Sequence, residues 1–173
     1  DNGARIRARR LSAIKAFYKY HTVKSHKLED NPAKDIETPK IKPALPKYLT
    51  LEESIKLLES VPRDCPTYER DYCILTLFLN CGIRRSELVG LNLNDVYEDR
   101  IRVIGKGNKE RIVYLNEAAR QAVIDYMRAR LDPKYIRTSD KAFFLSNRQE
   151  RISNKTVQWI VYKYLNLELV ITT

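Results

Sequence analysis

The chain turns from one predicted helix into another at Cys81-Gly82-Ile83-Arg84-Arg85-Ser86-Glu87-Leu88. The apolar run Tyr72 to Leu79 before this stretch predicts a buried helix. Gly82 is placed to end that helix, because the residue after a helix often takes a positive φ that only glycine adopts without strain. Ser86 is predicted to cap the second helix with its hydroxyl. These assignments leave Arg84 at a rigid corner between two packed helices.

Arg84 is the first candidate for a functional side chain. A guanidinium held at a fixed corner can bind a phosphate or a carboxylate through two parallel hydrogen bonds. The alternative is a structural arginine, either at the surface or paired with Glu87. The corner alone leaves both readings open.

A β-hairpin is predicted from residues 100–104 and 111–115, which are rich in β-branched residues and partly alternate. The turn Gly105-Lys106-Gly107-Asn108-Lys109-Glu110 contains the Gly and Asn residues that tight turns favour. It lacks the spacing of a Walker phosphate-binding loop. We interpret the hairpin as a basic finger that reaches into a nucleic-acid groove, and the alternative is a charged turn in solvent. Its basic residues are Lys106, Lys109 and Arg111.

Residues 4–20 predict an amphipathic helix whose polar surface is crowded with arginine and lysine. Like charges this close repel one another unless an anion binds them, so we expect phosphate binding. A solvated basic face is the alternative. Since one helix cannot bury its apolar stripe alone, we assign it to the end of a small helical domain. The residues expected to bind phosphate here, as in a nucleic-acid backbone, are Arg7, Arg9, Arg10 and Lys15.

Closely spaced prolines after Thr38 predict an extended linker over residues 37–48. Beyond it, the capping-box pattern Thr50-Leu51-Glu52-Glu53 opens a helix. Asn116 is expected to cap a long helix and Ser153 a last one, with a short strand at residues 141–145 between them. Basic residues near the last helix start either bind phosphate or lie in a solvated loop. They are Arg148, Arg151 and Lys155.

Composition points to a polyanionic partner. The net charge is +10, and residues 1–48 carry 12 Lys and Arg against 5 Asp and Glu, compared with 20 against 17 in the remainder. Three cysteines without a C-x-x-C pair, and only two histidines, argue against a zinc site, so we expect no metal. With neither an 18-residue apolar stretch nor a signal-peptide pattern, the expected location is the cytoplasm.

Two motifs, taken in this order, resemble the tyrosine recombinases, or phage-type integrases, and especially their Xer-like branch. The stretch from Cys81 to Leu88 is similar to the family's T-G-L-R-x-S-E-L box, and that from Ile104 to Arg111 is similar to its G-K-G-N-K-E-R hairpin. Matching residues also occur in Leu11 to Tyr18 and in Asn31-Pro32, and the resemblance covers essentially the whole chain.

This resemblance implies a mainly α fold with a small antiparallel β-sheet (α+β). Residues 1–36 would be the C-terminal part of a helical core-binding domain, 37–48 a Pro-rich linker and 49–173 part of a catalytic domain. The two domains would clamp double-stranded DNA, and the family works on DNA as a tetramer. No cofactor is implied.

The resemblance also implies roles by motif position. Arg84 would be the first catalytic arginine and would hold the scissile phosphate, whose oxygens gain charge in the transition state. Lys106 would be the hairpin lysine that donates a proton to the departing 5′ oxygen. The family's H-x-x-R box and its tyrosine nucleophile have no counterpart here. The chain by itself is therefore expected to bind DNA without completing catalysis.

Three functions are compatible with these patterns. The first is part of a site-specific DNA recombinase that cleaves and rejoins strands through a 3′-phosphotyrosine. The second is a non-catalytic DNA-binding remnant or regulator derived from an integrase. The third is an RNA- or protein-binding helical module, for which charge is the sole argument.

Overall fold

The computed structural model describes residues 3–40, 48–105, 107–131 and 141–171, with side chains as far as Leu165. The helices in these ranges are α1 (Ala4–Val23), α2 (Leu51–Glu59), α3 (Tyr68–Cys81), α4 (Arg85–Gly90), α5 (Glu117–Arg130) and α6 (Asn154–Ile171). The strands are β1 (Arg100–Ile104) and β2 (Glu110–Tyr114), which pair antiparallel. The predicted fold class, mainly α with a small antiparallel sheet, is confirmed.

The chain forms two compact units, Asp1–Tyr48 and Leu49–Thr173. In the first unit, α1 is followed by a turn in which the Asn31 side chain accepts the Ala33 N–H at 3.0 Å. The apolar residues Ile14 and Phe17 of α1 stay 47% and 58% exposed. The finer division into residues 1–36, 37–48 and 49–173 remains a prediction, and residues 41–47 lie outside the described part of the chain.

The second unit is built around α3. Cys73, Ile74 and Leu77 are fully buried, and the helix packs against α2, α5 and α6. Val157, Ile160 and Tyr164 of α6 are likewise fully buried, so this face of the helix packs into the same core. A core of this kind fixes the end of α3, and with it the corner that follows.

Three predicted helix caps are confirmed. Thr50 and Glu53 form the reciprocal capping box of α2, at 3.2 Å and 2.7 Å. Asn116 accepts the Ala119 N–H at 2.9 Å, and Ser153 accepts the Thr156 N–H at 3.0 Å. Each satisfies a backbone donor that the first turn of a helix leaves without a partner.

The prediction of a strand at residues 141–145 is wrong. Only isolated bridges form there, Asn92 to Ala142 and Leu145 to Arg151. Between them, the Tyr126 hydroxyl donates to the Phe143 carbonyl at 3.2 Å and accepts the Leu145 N–H at 3.0 Å. The Phe143 carbonyl and the Leu145 amide thus bond to a side chain, and backbone pairing is limited to short stretches, such as the bond from the Phe143 N–H to the Leu91 carbonyl at 2.8 Å. Burial raises the pKa of Tyr126 to about 12.

In the hairpin, β1 matches its predicted bounds, whereas β2 starts and ends one residue earlier than expected. Ile101 and Val103 face the core, and Arg100 and Arg102 are partly exposed on the other side. No helix within the described residues is long and apolar enough to cross a membrane.

Candidate active site

Arg84 lies at the predicted corner between α3 and α4. Gly82 ends α3 with φ 55° and ψ 31°, the left-handed conformation that glycine adopts without a Cβ clash. Ile83 is buried, and Arg84 itself is extended, with φ −76° and ψ 149°. The arginine therefore projects from a backbone that is fixed on both sides.

Ser86 does not cap α4. The helix begins at Arg85 with Arg84 as its N-cap residue, so Ser86 lies inside the first turn. The N-cap amide of Arg84 instead donates to Glu87 Oε2 at 2.8 Å. The predicted cap is wrong because the Leu88 N–H, which a capping Ser86 hydroxyl would accept, bonds to the Arg84 carbonyl at 2.9 Å, while Glu87 supplies the carboxylate half of a capping box.

Glu87 is a buried carboxylate that accepts three hydrogen bonds. Besides the Arg84 amide, Oε1 accepts from Arg84 Nη1 at 2.9 Å and Oε2 accepts from Arg111 Nη2 at 2.8 Å. Burial alone would raise the pKa of Glu87, but the bonds from Arg84 and Arg111 outweigh it and the pKa is lowered. The side chain is 1% exposed and stays ionised at neutral pH.

The Arg84 side chain remains 69% exposed although its guanidinium bonds to Glu87. Glu87 contacts Nη1, which leaves the rest of the planar fork facing solvent. Arg111, on the same carboxylate, is 43% exposed. Two cations around one buried anion make this corner net positive, and the fixed fork is suited to a phosphate or carboxylate ligand.

The hairpin turn begins directly beside Glu87. The Gly105 N–H donates to the Lys109 carbonyl at 2.8 Å and closes the turn. A Cβ on Gly105 would lie 3.3 Å from Glu87 Oε1, so the backbone approaches the carboxylate closely here. Lys106, the predicted catalytic lysine, lies outside the described residues. Its neighbour in the sequence, Gly105, is nevertheless adjacent to the carboxylate that holds Arg84.

The predicted DNA-binding residues lie in several places. Arg7, Arg9 and Arg10 are exposed on α1 of the first unit, whereas Lys15 is partly buried and its Nζ donates to the Lys34 carbonyl at 3.3 Å. In the second unit, Lys109 is exposed in the hairpin turn and Lys155 is exposed in the first turn of α6.

Arg151 has extensive internal contacts. Its Nη1 donates to the Val89 and Leu91 carbonyls, both at 3.0 Å, and its Nη2 donates to Asn92 Oδ1 at 2.6 Å. These bonds satisfy carbonyls at the end of α4, which gives Arg151 a structural role. Its contact with DNA remains a prediction.

Sequence reasoning missed the bond between Arg111 and Glu87, which are 24 residues apart. A signal was available in the alternation of β2, where Arg111 faces the same side as the buried Val113. It also missed the 2.6 Å bond from Arg85 Nη1 to Gln158 Oε1, which ties α4 to α6. Within the described residues, no group of three or more His, Cys, Asp or Glu is placed to hold a metal ion.

The phage integrase family model matches residues 47–170. A protein named tyrosine recombinase XerC from Caldanaerobacter subterraneus subsp. tengcongensis is 52% identical over 171 residues, covering 97% of this chain and 47% of that protein. Another of the same name from Thermodesulfovibrio yellowstonii is 41% identical, covering 91% and 54%. The chain thus spans about half the length of the curated relatives it matches.

Solved structures show the same fold. The crystal structure of XerA recombinase matches with a TM-score of 0.62 at 27% identity, over 90% of this chain and 52% of that one. A lambda integrase dimer bound to a COC′ core site matches with a TM-score of 0.70 over 94% and 58%. At 14% identity, the second match supports the fold alone.

Proposed function

Because this chain belongs to the phage integrase family, we propose that it is the part of a site-specific DNA recombinase that binds duplex DNA and supplies part of the active site. The remaining active-site groups, including the tyrosine nucleophile, have no counterpart in the family motifs found in this sequence. Strand cleavage is therefore assigned to a protein that combines residues 1–173 with those remaining active-site groups.

The exposed Arg84 fork carries this proposal. It lies on a corner fixed by Gly82 and Glu87, and 69% of its side chain is open to a ligand. A DNA phosphodiester fits this geometry, because two N–H groups of the fork can bind its two non-bridging oxygens. In transfer to a tyrosine, charge grows on those oxygens, so a donor already in place stabilises the transition state.

Lys106 is proposed as the general acid. When the tyrosine oxygen bonds to phosphorus, the bond from phosphorus to the 5′ oxygen breaks and leaves a poor alkoxide. A proton from the lysine ammonium converts that alkoxide into a hydroxyl. The position of Gly105 beside Glu87, 3.3 Å from Oε1 to a Cβ built on it, supports a turn that starts next to the phosphate-binding corner.

The DNA contacts proposed outside this corner are the exposed Arg7, Arg9 and Arg10 of α1, with Lys109 and Lys155 in the second unit. Related structures titled as a lambda integrase dimer on a core site and a tetramer on a Holliday junction motivate the further proposal of assembly on DNA. Lys15, Arg111 and Arg151 have internal partners and are expected to contribute less.

The test joins residues 1–173 to the remaining C-terminal part of the 52%-identical XerC relative. Nicked duplexes carrying that relative's recombination site would trap a covalent complex between protein and DNA, visible on a denaturing gel. We expect Arg84→Ala to lower the rate of complex formation about a hundredfold or more, the usual effect of removing one donor to a developing oxyanion. Arg100→Ala, which removes an exposed arginine of β1 paired with Asp99, should leave the rate unchanged.

If the Arg84→Ala chimaera formed the covalent complex as fast as the unmodified chimaera, the proposed role of Arg84 in holding the phosphate would be contradicted. A chimaera that binds the duplex tightly but never forms the complex would favour the second function, a non-catalytic DNA-binding protein derived from an integrase.

A further inference from the structure

Arg111 occupies an unusual position for a DNA-binding residue. In the hairpin register it pairs with Val103, which is 1% exposed, and it shares its side of β2 with Val113, which is 9% exposed. It therefore lies on the core-facing side of the sheet. From there its guanidinium reaches the buried carboxylate of Glu87 on α4, at 2.8 Å.

Glu87 joins three parts of the site through its two oxygens. Oε2 accepts the backbone N–H at the N-terminus of α4 and the guanidinium from β2. Oε1 accepts the Arg84 side chain and lies against Gly105, where the turn begins. The contact from Arg111 thus ties the end of the hairpin to the corner that carries Arg84.

This tie matters because the sheet has only two strands among the described residues. A two-stranded hairpin is marginally stable by itself, so its turn depends on contacts with the rest of the domain. A charge-assisted bond to a buried carboxylate is among the stronger contacts available to it.

We propose that Arg111 is a positioning residue that, through Glu87, holds the hairpin turn at the distance from Arg84 that proton donation to the leaving group requires. The inference rests on the proposed function. It assigns Arg111 an effect on leaving-group protonation, whereas Arg84 acts on the non-bridging oxygens. A displacement of about 1 Å in such a group can lower a rate about a hundredfold.

Two substrates separate these effects in the chimaera described above. One has the natural 5′ oxygen at the cleavage site, and the other has sulfur in place of that bridging oxygen. A thiolate leaves without needing a proton, so the sulfur substrate does not require a general acid. We expect the Arg111→Ala chimaera to cleave the oxygen substrate about ten- to a hundredfold more slowly than the unmodified chimaera. It should cleave the sulfur substrate at nearly the rate of the unmodified chimaera.

Four other variants complete the comparison. Lys106→Ala should show the same rescue by sulfur, and Arg84→Ala should stay slow on both substrates. Arg111→Lys keeps a cation near Glu87 and should recover part of the rate on the oxygen substrate. The matched control is Arg100→Ala, because Arg100 is 44% exposed on the outer side of the same hairpin and should be unaffected on either substrate.

A second readout needs only the 173-residue chain. In Arg111→Ala, the Gly105 amide, which bonds to the Lys109 carbonyl, should exchange its hydrogen faster, while amides of buried α3 keep their exchange rates. Faster exchange throughout α3 would mean general destabilisation and would overturn the inference.

The outcomes also distinguish this inference from the proposed function. The positioning role would be overturned if the Arg111→Ala chimaera cleaved both substrates equally slowly. It would also be overturned if this variant cleaved the oxygen substrate as fast as the unmodified chimaera. Absence of cleavage by the unmodified chimaera would contradict the proposed function. Lys106→Ala that sulfur fails to rescue would contradict the general-acid assignment and, with it, the positioning role.

Discussion

At the corner between α3 and α4, one carboxylate lies between two guanidinium groups. Glu87 is buried, while Arg84 and Arg111 keep 69% and 43% of their side chains exposed. The single negative charge holds both arginines but cancels only one of them. A phosphate can therefore approach a site that is preorganised and still positive.

Replacing Glu87 with glutamine should destabilise the protein by about 1 to 2 kcal/mol at neutral pH, because three hydrogen bonds lose a charged acceptor while both arginines keep access to solvent. The pKa of Glu87 in the folded state lies below the ordinary value of 4.5. Its charge therefore contributes fully above pH 4.5 and loses that contribution as the pH falls through the lower, folded-state pKa. Urea unfolding of both proteins between pH 7 and 3 measures this as a difference in unfolding free energy that shrinks in acid.

Glu117→Gln is the matched control, because Glu117 is 77% exposed and pairs with Arg120 at 2.9 Å. Its effect should stay within about 0.5 kcal/mol at every pH, as for other exposed pairs. A Glu87→Gln difference that is constant down to pH 3 would show that the carboxylate charge contributes nothing to stability.

Arg151→Ala should lower the unfolding free energy by about 2 kcal/mol, because three acceptors at the end of α4 lose a charged donor. Arg148→Ala, an exposed change nearby, should have little effect. Thermal unfolding measures the difference between the two variants. Equal unfolding temperatures would contradict the structural role and leave DNA contact as the better account of Arg151.

Among the helices and strands, local sequence predicts the structure correctly where a cap or an apolar run determines it. The caps at Thr50, Asn116 and Ser153, and the glycine that ends α3, each depend on residues within four positions. Such features can be predicted because the donor and acceptor are close in the chain.

The predictions that failed depend on competition or on distant partners. Ser86 has the residue type of a cap, but α4 starts at Arg85, and the Leu88 N–H that Ser86 would accept bonds to the Arg84 carbonyl. Residues 141–145 have the composition of a strand, yet they form only single bridges, to Asn92 and Arg151, and two of their backbone groups bond to the Tyr126 side chain, at least 17 residues away. A strand-like pattern does not reveal whether a partner strand is present.

Tyr164 links α6 to α3, and its substitution tests how much this contact between helices contributes to stability. Its hydroxyl donates to Asp71 Oδ2 at 3.0 Å, and Asp71 is 1% exposed and also holds Arg70 at 2.8 Å. Tyr164→Phe removes one donor to a buried charge and should cost about 1.5 kcal/mol of unfolding free energy. Tyr162→Phe, on an exposed side chain of the same helix, should be neutral in the same chemical denaturation.

Equal stability of the Tyr164→Phe and unmodified proteins would contradict a contribution from this bond. Preferential exchange of α6 amides in the variant would localise the loss to the contact between α6 and α3.

At the scale of the whole molecule, the placement of Arg84 could be predicted from eight consecutive residues, since a glycine-ended helix followed by a second helix defines the corner. The grouping of Arg84, Glu87 and Arg111 could not, because it depends on how the hairpin packs against α4. The family motifs indicate which residues to propose as functional, while the three-dimensional contacts distinguish an exposed arginine from those with internal partners.

Most of the molecule's excess positive charge lies in the first unit. Residues 1–48 carry 12 basic against 5 acidic residues, and Arg7, Arg9 and Arg10 are exposed. An excess of this kind supplies affinity without sequence readout, because phosphate contacts position a protein on DNA and base contacts specify the site.

We propose that this chain binds the phosphate backbone of duplex DNA, and the salt dependence of binding by residues 1–173 measures the number of phosphates that it contacts. We expect the logarithm of the affinity for a duplex to fall linearly with the logarithm of salt concentration, with a slope of about −0.9 for each phosphate neutralised. The combined change of Arg7, Arg9 and Arg10 to alanine should make that slope shallower by about 2 to 3. Affinity that does not change with salt, or a preference for single-stranded RNA over duplex DNA, would contradict binding to the backbone of duplex DNA.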